Sequence, residues 1–220
     1  MIKAENLFLS YDNKKNIIKE SQFTIEEKEF VFIGGQSGSG KSTLLKALYG
    51  DVDVKYGNLF VNDLNLRNVS RSKLQNLRKN IGIVFQDYKL VNEWTIEENI
   101  MLPLRINGHR DDLCKEQADK LLKHIKLQHK KGSFPQELSG GEQQRIAVAR
   151  AIAHNPKLIL ADEPTGNLDE YSAELVWDLL KGAKEALGVT VIVVTHRVPK
   201  NFGIRTRQLS ISDGSIYEVS

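Results

Sequence analysis

Gly35-Gln36-Ser37-Gly38-Ser39-Gly40-Lys41-Ser42 follows the spacing GxxxxGK[ST] between an apolar run, Phe30 to Ile33, and a segment of helical spacing, Lys41 to Tyr49. Glycines in such a loop let successive N–H groups turn inward on phosphate oxygens, and the helix that follows adds the partial positive charge of its N-terminus. Lys41 is expected to reach the β- and γ-phosphates of ATP, and the Ser42 hydroxyl to hold Mg2+. Leu158-Ile159-Leu160-Ala161-Asp162-Glu163 is an apolar run ending in two carboxylates, the order of a strand that accompanies such a loop. Asp162 would support the magnesium shell, and Glu163 would orient and deprotonate a water. Leu138-Ser139-Gly140-Gly141-Glu142-Gln143-Gln144-Arg145 also opens a helical pattern. It reads either as an ordinary helix cap or as a further set of N–H groups for an anion.

Short apolar or alternating runs at Ile2 to Leu9, Gln22 to Ile25, Phe30 to Ile33, Leu59 to Val61, Ile81 to Phe85, Leu158 to Ala161 and Val189 to Val194 read as strands. Helical spacing occupies Lys41 to Tyr49, Ser70 to Lys79, Asp112 to Lys126, Glu142 to His154 and Tyr171 to Leu187. This alternation predicts an α/β fold with a mainly parallel sheet. Gln208 to Ser212 and Ser215 to Val219 flank Asp213-Gly214, a hairpin pattern. Asn107 to Asp112 reads as the start of a helical insertion. On the last helix Ala173, Val176, Trp177, Leu180, Ala183 and Leu187 share a stripe, which places Trp177 in the core.

The 220 residues, 40% of them hydrophobic, suffice for a sizeable core. A formal charge of +3 with both signs interspersed lacks the concentrated basic face of a nucleic-acid binder. The single cysteine, Cys114, excludes an internal disulfide and points to a reducing compartment. It shares a helical face with Ala118, Leu121, Leu122 and Ile125, so it is expected to fill the core. No HExxH pattern or pair of CxxC clusters offers a metal site. No long apolar stretch appears, and the chain is expected neither to cross a membrane nor to be exported.

Gly35 to Ser42, Gln86, Leu138 to Glu142, Asp162-Glu163, Leu168-Asp169 and His196 stand in the order found in ABC-type ATPases. The chain resembles that family over essentially its whole length, and the LSGGEQQR stretch is highly specific. The resemblance implies a single nucleotide-binding domain, 1–220. Its phosphate-loop core would carry an antiparallel β subdomain and a helical subdomain inserted at approximately 87–155. It also implies a head-to-tail homodimer. Each ATP would lie between the phosphate loop of one chain, Gly35, Gln36, Ser37, Gly38, Ser39, Gly40, Lys41, Ser42 and Thr43, and Ser139, Gly140 and Gly141 of the other. Further roles implied by resemblance are adenine stacking for Tyr11 and magnesium contact with signalling to the membrane partner for Gln86. Asp169 would link the two sites and His196 would contact the γ-phosphate, with Ser42, Gln86 and Asp162 as the metal set and Glu163, His196 and Lys41 as the catalytic set. Arg197 departs from the pattern, standing where many members carry an acidic residue. His109, His124, His129 and His154 match no family position and are expected at the solvated surface.

Glu163 to Asp169 and Phe85-Gln86-Asp87 resemble the branch that includes the bacterial cell-division ATPase FtsE and the lipoprotein-release and macrolide-export ATPases. The short chain and Ser212-Asp213-Gly214 look most like the cell-division type. That likeness implies an ATP-driven motor at the cytoplasmic face of the bacterial inner membrane, paired with an FtsX-like permease. Lipoprotein release or export is the alternative, and a nucleotide-gated scaffold with little turnover the alternative of another class. Leu90, Val91 and Trp94 bring apolar bulk into the polar stretch after Gln86, either as a folded-in anchor or as a docking patch for a helix of the membrane subunit.

Overall fold

Burial follows a two-residue rhythm in the first strand, β1 (Ile2–Leu9), where Ile2 and Ala4 and then Leu7 and Leu9 are buried. The three-residue step from Ala4 to Leu7 is a bulge marked by Asn6 at φ +47°. The computed structural model describes residues 1–11, 16–199 and 202–219. Contacts divide the chain into two units, Met1–Arg78 with Thr190–Ser220, and Lys79–Val189.

In the first unit an antiparallel sheet runs in the order β2 (Ile18–Ile25), β1, β4 (Val54–Val61), β5 (Leu64–Asn65). A second sheet is built on β3 (Phe30–Gly35), whose Phe30, Val31, Phe32 and Ile33 are all buried, as expected for a strand covered on both faces. It pairs in parallel with β8 (Thr190–Val194) and β9 (Arg207–Ser212), and β9 turns back into the antiparallel β10 (Ser215–Val219). Phe30, Phe32 and Phe202 cluster with ring centroids 4.8 to 5.2 Å apart. Helix α1 (Lys41–Leu48) follows the phosphate loop, and α2 (Arg71–Arg78) closes this part of the chain.

The second unit opens with β6 (Ile81–Val84), parallel to β7 (Leu158–Asp162). Between them run α3 (Ile96–Ile106), α4 (Asp111–His124) and α5 (Gly140–Ile152), and α6 (Glu170–Leu187) follows β7. Cys114, Ala118, Leu121, Leu122 and Ile125 are buried as their spacing demands, and burial raises the Cys114 thiol pKa. On α6 the stripe is narrower than expected: Val176, Leu180 and Ala183 are buried, Trp177 is half-buried, and Leu187 in the last turn is exposed.

Several elements differ from the sequence expectation. β2 and β4 begin earlier, at Ile18 and Val54, because antiparallel pairing with β1 extends the ladder through polar residues. The helices between β6 and β7 begin at Ile96, and Asn107 to Arg110 is merely the joint between α3 and α4. Helix α3 is masked in the sequence by Pro103 in its interior. Its start is nonetheless encoded: Thr95 and Glu98 form a reciprocal capping box, with Thr95 Oγ1 accepting from Glu98 N–H and Glu98 Oε2 accepting from Thr95 N–H at 2.8 Å. Asn99, fully buried, then organises the segment before the helix. Its Oδ1 accepts from Val91 N–H at 2.8 Å, and its Nδ2 donates to the carbonyls of Val91 at 3.0 Å and Trp94 at 3.3 Å.

Asn99→Leu keeps the volume and strands those backbone groups, so it should destabilise the protein by about 2 kcal/mol. A denaturant titration measures this; an unchanged midpoint would show that the segment does not depend on the amide.

Candidate nucleotide-binding and catalytic site

The phosphate loop begins where β3 runs out of side chains. Gly35 adopts φ +147°, and a Cβ there would stand 2.6 Å from the Ile211 carbonyl of neighbouring β9. Gly40, at φ +107°, caps α1 beneath Ile17, whose Cγ2 would be 2.8 Å from any added Cβ. Both positions therefore need glycine for conformation and for space. Between them Gln36, Ser37 and Gly38 are exposed and Ser39 is half-buried. Lys41 is buried to 8% exposure, and its Nζ donates to the carbonyls of Gly35 at 2.8 Å and Gln36 at 2.9 Å. The loop's own carbonyls thus hold the ammonium at the loop, beside the first turn of α1. Ser42 is exposed and Thr43 buried on that turn.

The neighbouring strand carries His196 to the same edge. Ile33 pairs with Val194, and Thr195 N–H donates to the Ile33 carbonyl at 3.2 Å, so the chain leaves β8 next to the start of the loop. Thr195 is buried, and its hydroxyl accepts from Arg197 N–H at 3.1 Å, which shapes the turn bearing exposed His196. An acidic side chain is not needed at Arg197 for this bond, since its backbone makes it. Tyr11 is 61% exposed just beyond β1.

Within the second unit, parallel pairing of Val84 with Ala161 delivers Gln86 and Asp162-Glu163 to one edge, the carboxyl ends of β6 and β7, where α/β sheets bind ligands. Gln86 is exposed, and Asp162 and Glu163 are half-buried. Glu163 adopts φ +42°, a left-handed conformation uncommon for a residue with a side chain, which turns the chain sharply at the carboxylate.

Ser139 caps α5 in a capping box with Glu142: the serine hydroxyl accepts from Glu142 N–H at 3.3 Å, and Glu142 Oε2 accepts from Ser139 N–H at 2.9 Å. That bond is the main reason the Glu142 carboxyl is held below its ordinary pKa. The capping reading of Ser139 is therefore realised. The two glycines answer to packing: a Cβ on Gly140 would lie 2.8 Å from the Tyr88 hydroxyl, and one on Gly141 2.6 Å from Ser172 Oγ. Ser172 in turn donates through its N–H and hydroxyl to Asp169, the cap of α6, at 2.9 and 2.7 Å, and the N–H bond chiefly lowers the Asp169 pKa. The Gln86 loop, the Ser139 segment and the Asp169 cap thus meet around the glycine pair.

Sequence reasoning missed Tyr88, Arg150 and Ser172. Tyr88 and Lys89 are consecutive left-handed residues, φ +61° and +49°, and such conformations cost roughly 1–2 kcal/mol each. Arg150, buried on α5, donates to their two carbonyls at 2.6 Å each. Of the remaining histidines, His109, His124 and His129 are exposed, whereas His154 is half-buried and its pKa is lowered by that burial, against the expectation of a surface residue.

A glycine-walled phosphate cradle at the carboxyl edge of a buried parallel strand defines an α/β protein of the phosphate-loop class. Residues 18–166 match the family model described as ABC transporter. The chain is 38% identical over 216 residues to the cell division ATP-binding protein FtsE of Streptococcus pneumoniae, covering 98% of this chain and 94% of that protein. It is 42% identical over 190 residues to the lipoprotein-releasing system ATP-binding protein LolD of Treponema denticola, covering 86% of this chain and 84% of that one. Among solved structures, the ATP-binding cassette MJ0796, a dimer in a post-hydrolysis state bound to ADP and Pi, superposes with a TM-score of 0.90 at 35% identity over 100% of this chain and 98% of that one. The chain belongs to the ABC transporter family as an ATP-binding subunit, and it is an ATPase.

We expect Lys41→Met, which removes the ammonium held by the loop carbonyls, to weaken ATP binding ~100-fold, the worth of about 3 kcal/mol of charge-assisted hydrogen bonding. Equilibrium dialysis of ATP checks this, and wild-type affinity would place the phosphates elsewhere.

Proposed function

We propose that this chain is the ATP-driven motor of a membrane complex of the cell-division type, dimerising on ATP at the cytoplasmic face of the bacterial inner membrane and acting on an FtsX-like permease. The observation that carries the reading is end-to-end likeness: FtsE of Streptococcus pneumoniae aligns over 98% of the chain and 94% of its own length. The second reading, lipoprotein release, is favoured by the higher identity to LolD, 42%, over a shorter stretch.

In this reading Gly35 to Thr43 bind the ATP phosphates with Lys41 as the fixed cation, Tyr11 stacks on adenine, and His196 contacts the γ-phosphate. Ser139, Gly140 and Gly141 meet the ATP of a second copy, and Asp169 links the paired sites. The donor set suits Mg2+: the Ser42 hydroxyl, the Gln86 amide oxygen and the Asp162 carboxylate are hard oxygen ligands of the kind that ion accepts. When bound, the ion neutralises charge on the phosphate oxygens. Glu163 is the general base, its left-handed backbone setting the carboxylate off the line of β7. A carboxylate so placed favours turnover over a nucleotide-gated scaffold. The helical region at approximately 87–155 and its Leu90–Trp94 segment receive the permease. Leu90, Val91 and Trp94 are half-buried, so the segment is anchored through Asn99 yet still presents apolar surface.

Glu163→Gln fits the same space and accepts no proton. It should keep ATP affinity and lose ~100-fold or more in turnover, with ATP-bound dimer accumulating on size exclusion. Phosphate release above about a tenth of wild type would move the base to another residue.

Leu90→Asp with Val91→Asp should leave the chain folded and ATP-binding while co-purification with its permease falls at least ~10-fold, since each buried apolar anchor is worth about 1.5–3 kcal/mol. Identifying the wild-type membrane partner decides between the division and lipoprotein readings. Undiminished association of the variant would reject the docking segment.

A further inference from the structure

Arg150 is buried to 9% exposure, and its partners are two neutral carbonyls, those of Tyr88 and Lys89. Burial lowers its pKa to about 10, which leaves the guanidinium charged at neutral pH. Burying a charge against backbone dipoles alone is costly. What it supplies is direction: the planar fork places two donors at fixed angles, so the carbonyls of successive residues must both point at α5. Those residues are left-handed; a turn in the same loop, Tyr88 N–H to Phe85 O at 3.2 Å, encloses Gln86, and Lys89 N–H closes the next one on Asp87 O at 2.6 Å. The other end of Tyr88 also meets α5, its hydroxyl filling the space over Gly140. One helix therefore grips the Gln86 loop twice, through Arg150 near its C-terminus and through Gly140 at its start.

We propose that Arg150 is a positioning residue for Gln86, clamping the Tyr88–Lys89 carbonyls so that the Gln86 loop and the Ser139-Gly140-Gly141 helix start move as one body. The clamp makes the direction of the Gln86 amide depend on the placement of α5, and so on whatever engages Ser139 and Gly140. The proposal rests on the motor reading above for its consequence in turnover, but the clamp itself is a property of the second unit.

The test is a double-mutant cycle combined with hydrogen exchange. Arg150→Met keeps bulk and removes both donors. It should lower kcat at least ~10-fold while the KM for ATP stays within about 3-fold, because positioning is lost and phosphate binding is not. In a Gln86→Ala background the same change should cost less than about 2-fold, since the residue it positions is gone. Exchange at the amides of Gln86 to Val91 should quicken at least ~10-fold while α4 keeps its wild-type protection, the pattern of a local opening. Arg150→Lys, which retains charge but not the fork, should fall between wild type and Arg150→Met; it carries the same cycle if Arg150→Met does not fold. Equal losses in both backgrounds, or unchanged exchange at Gln86 to Val91, would overturn the proposal. A wild-type chain without turnover would sink the motor reading, and exchange would then decide the clamp: faster in the variants upholds it, unchanged rejects it.

Discussion

Irregular backbone leaving the end of a buried strand must have its hydrogen bonds satisfied, and each functional segment of this chain is built around that requirement. At the phosphate loop the outward carbonyls of Gly35 and Gln36 are taken by the Lys41 ammonium. The same bonds fix the cation at the loop. After β6 the carbonyls of Tyr88 and Lys89 are taken by Arg150, and the backbone of Val91 and Trp94 by Asn99. The N–H groups at the starts of α5 and α6 are taken by Ser139 and Asp169. The side chains that meet the structural demand thereby also set where the chemical groups point.

This arrangement explains how a chain with a formal charge of only +3 can serve a highly charged ligand. In the reading proposed above, attraction for phosphate comes from oriented dipoles and one buried lysine, a local field that net charge does not report. Mixed charges elsewhere then serve solubility, as in the exposed pairs of α4, Lys115 with Asp111 and Lys120 with Glu116.

Most of the core and the motif positions were legible in the sequence, and the reason is local. Gly35 and Gly40 occupy conformations closed to other residues, so the loop writes itself into residue type. β3, β7 and β8 are buried on both faces and appear as unbroken apolar runs. Helix α3 was hidden because Pro103 argues locally against it, although Thr95 and Glu98 announced its start. Arg150, Tyr88 and Ser172 were not legible at all. The Arg150 bonds span 61 and 62 residues of sequence, and an arginine on a helix reads as surface until the fold brings carbonyls to it.

The glycine pair carries a packing role that its spacing does not announce. By spacing alone Ser139-Gly140-Gly141 reads either as an ordinary helix cap or as a set of N–H groups for an anion. In the fold the room at Gly140 is filled by the Tyr88 hydroxyl and that at Gly141 by Ser172, which is bonded to the Asp169 cap. Any side chain at Gly140 would push on the loop carrying Gln86, and any at Gly141 on the start of α6. A larger residue in the pair would therefore disturb two neighbouring functional segments before it met a nucleotide. The glycines answer to contact inside this chain, and that contact joins the three segments.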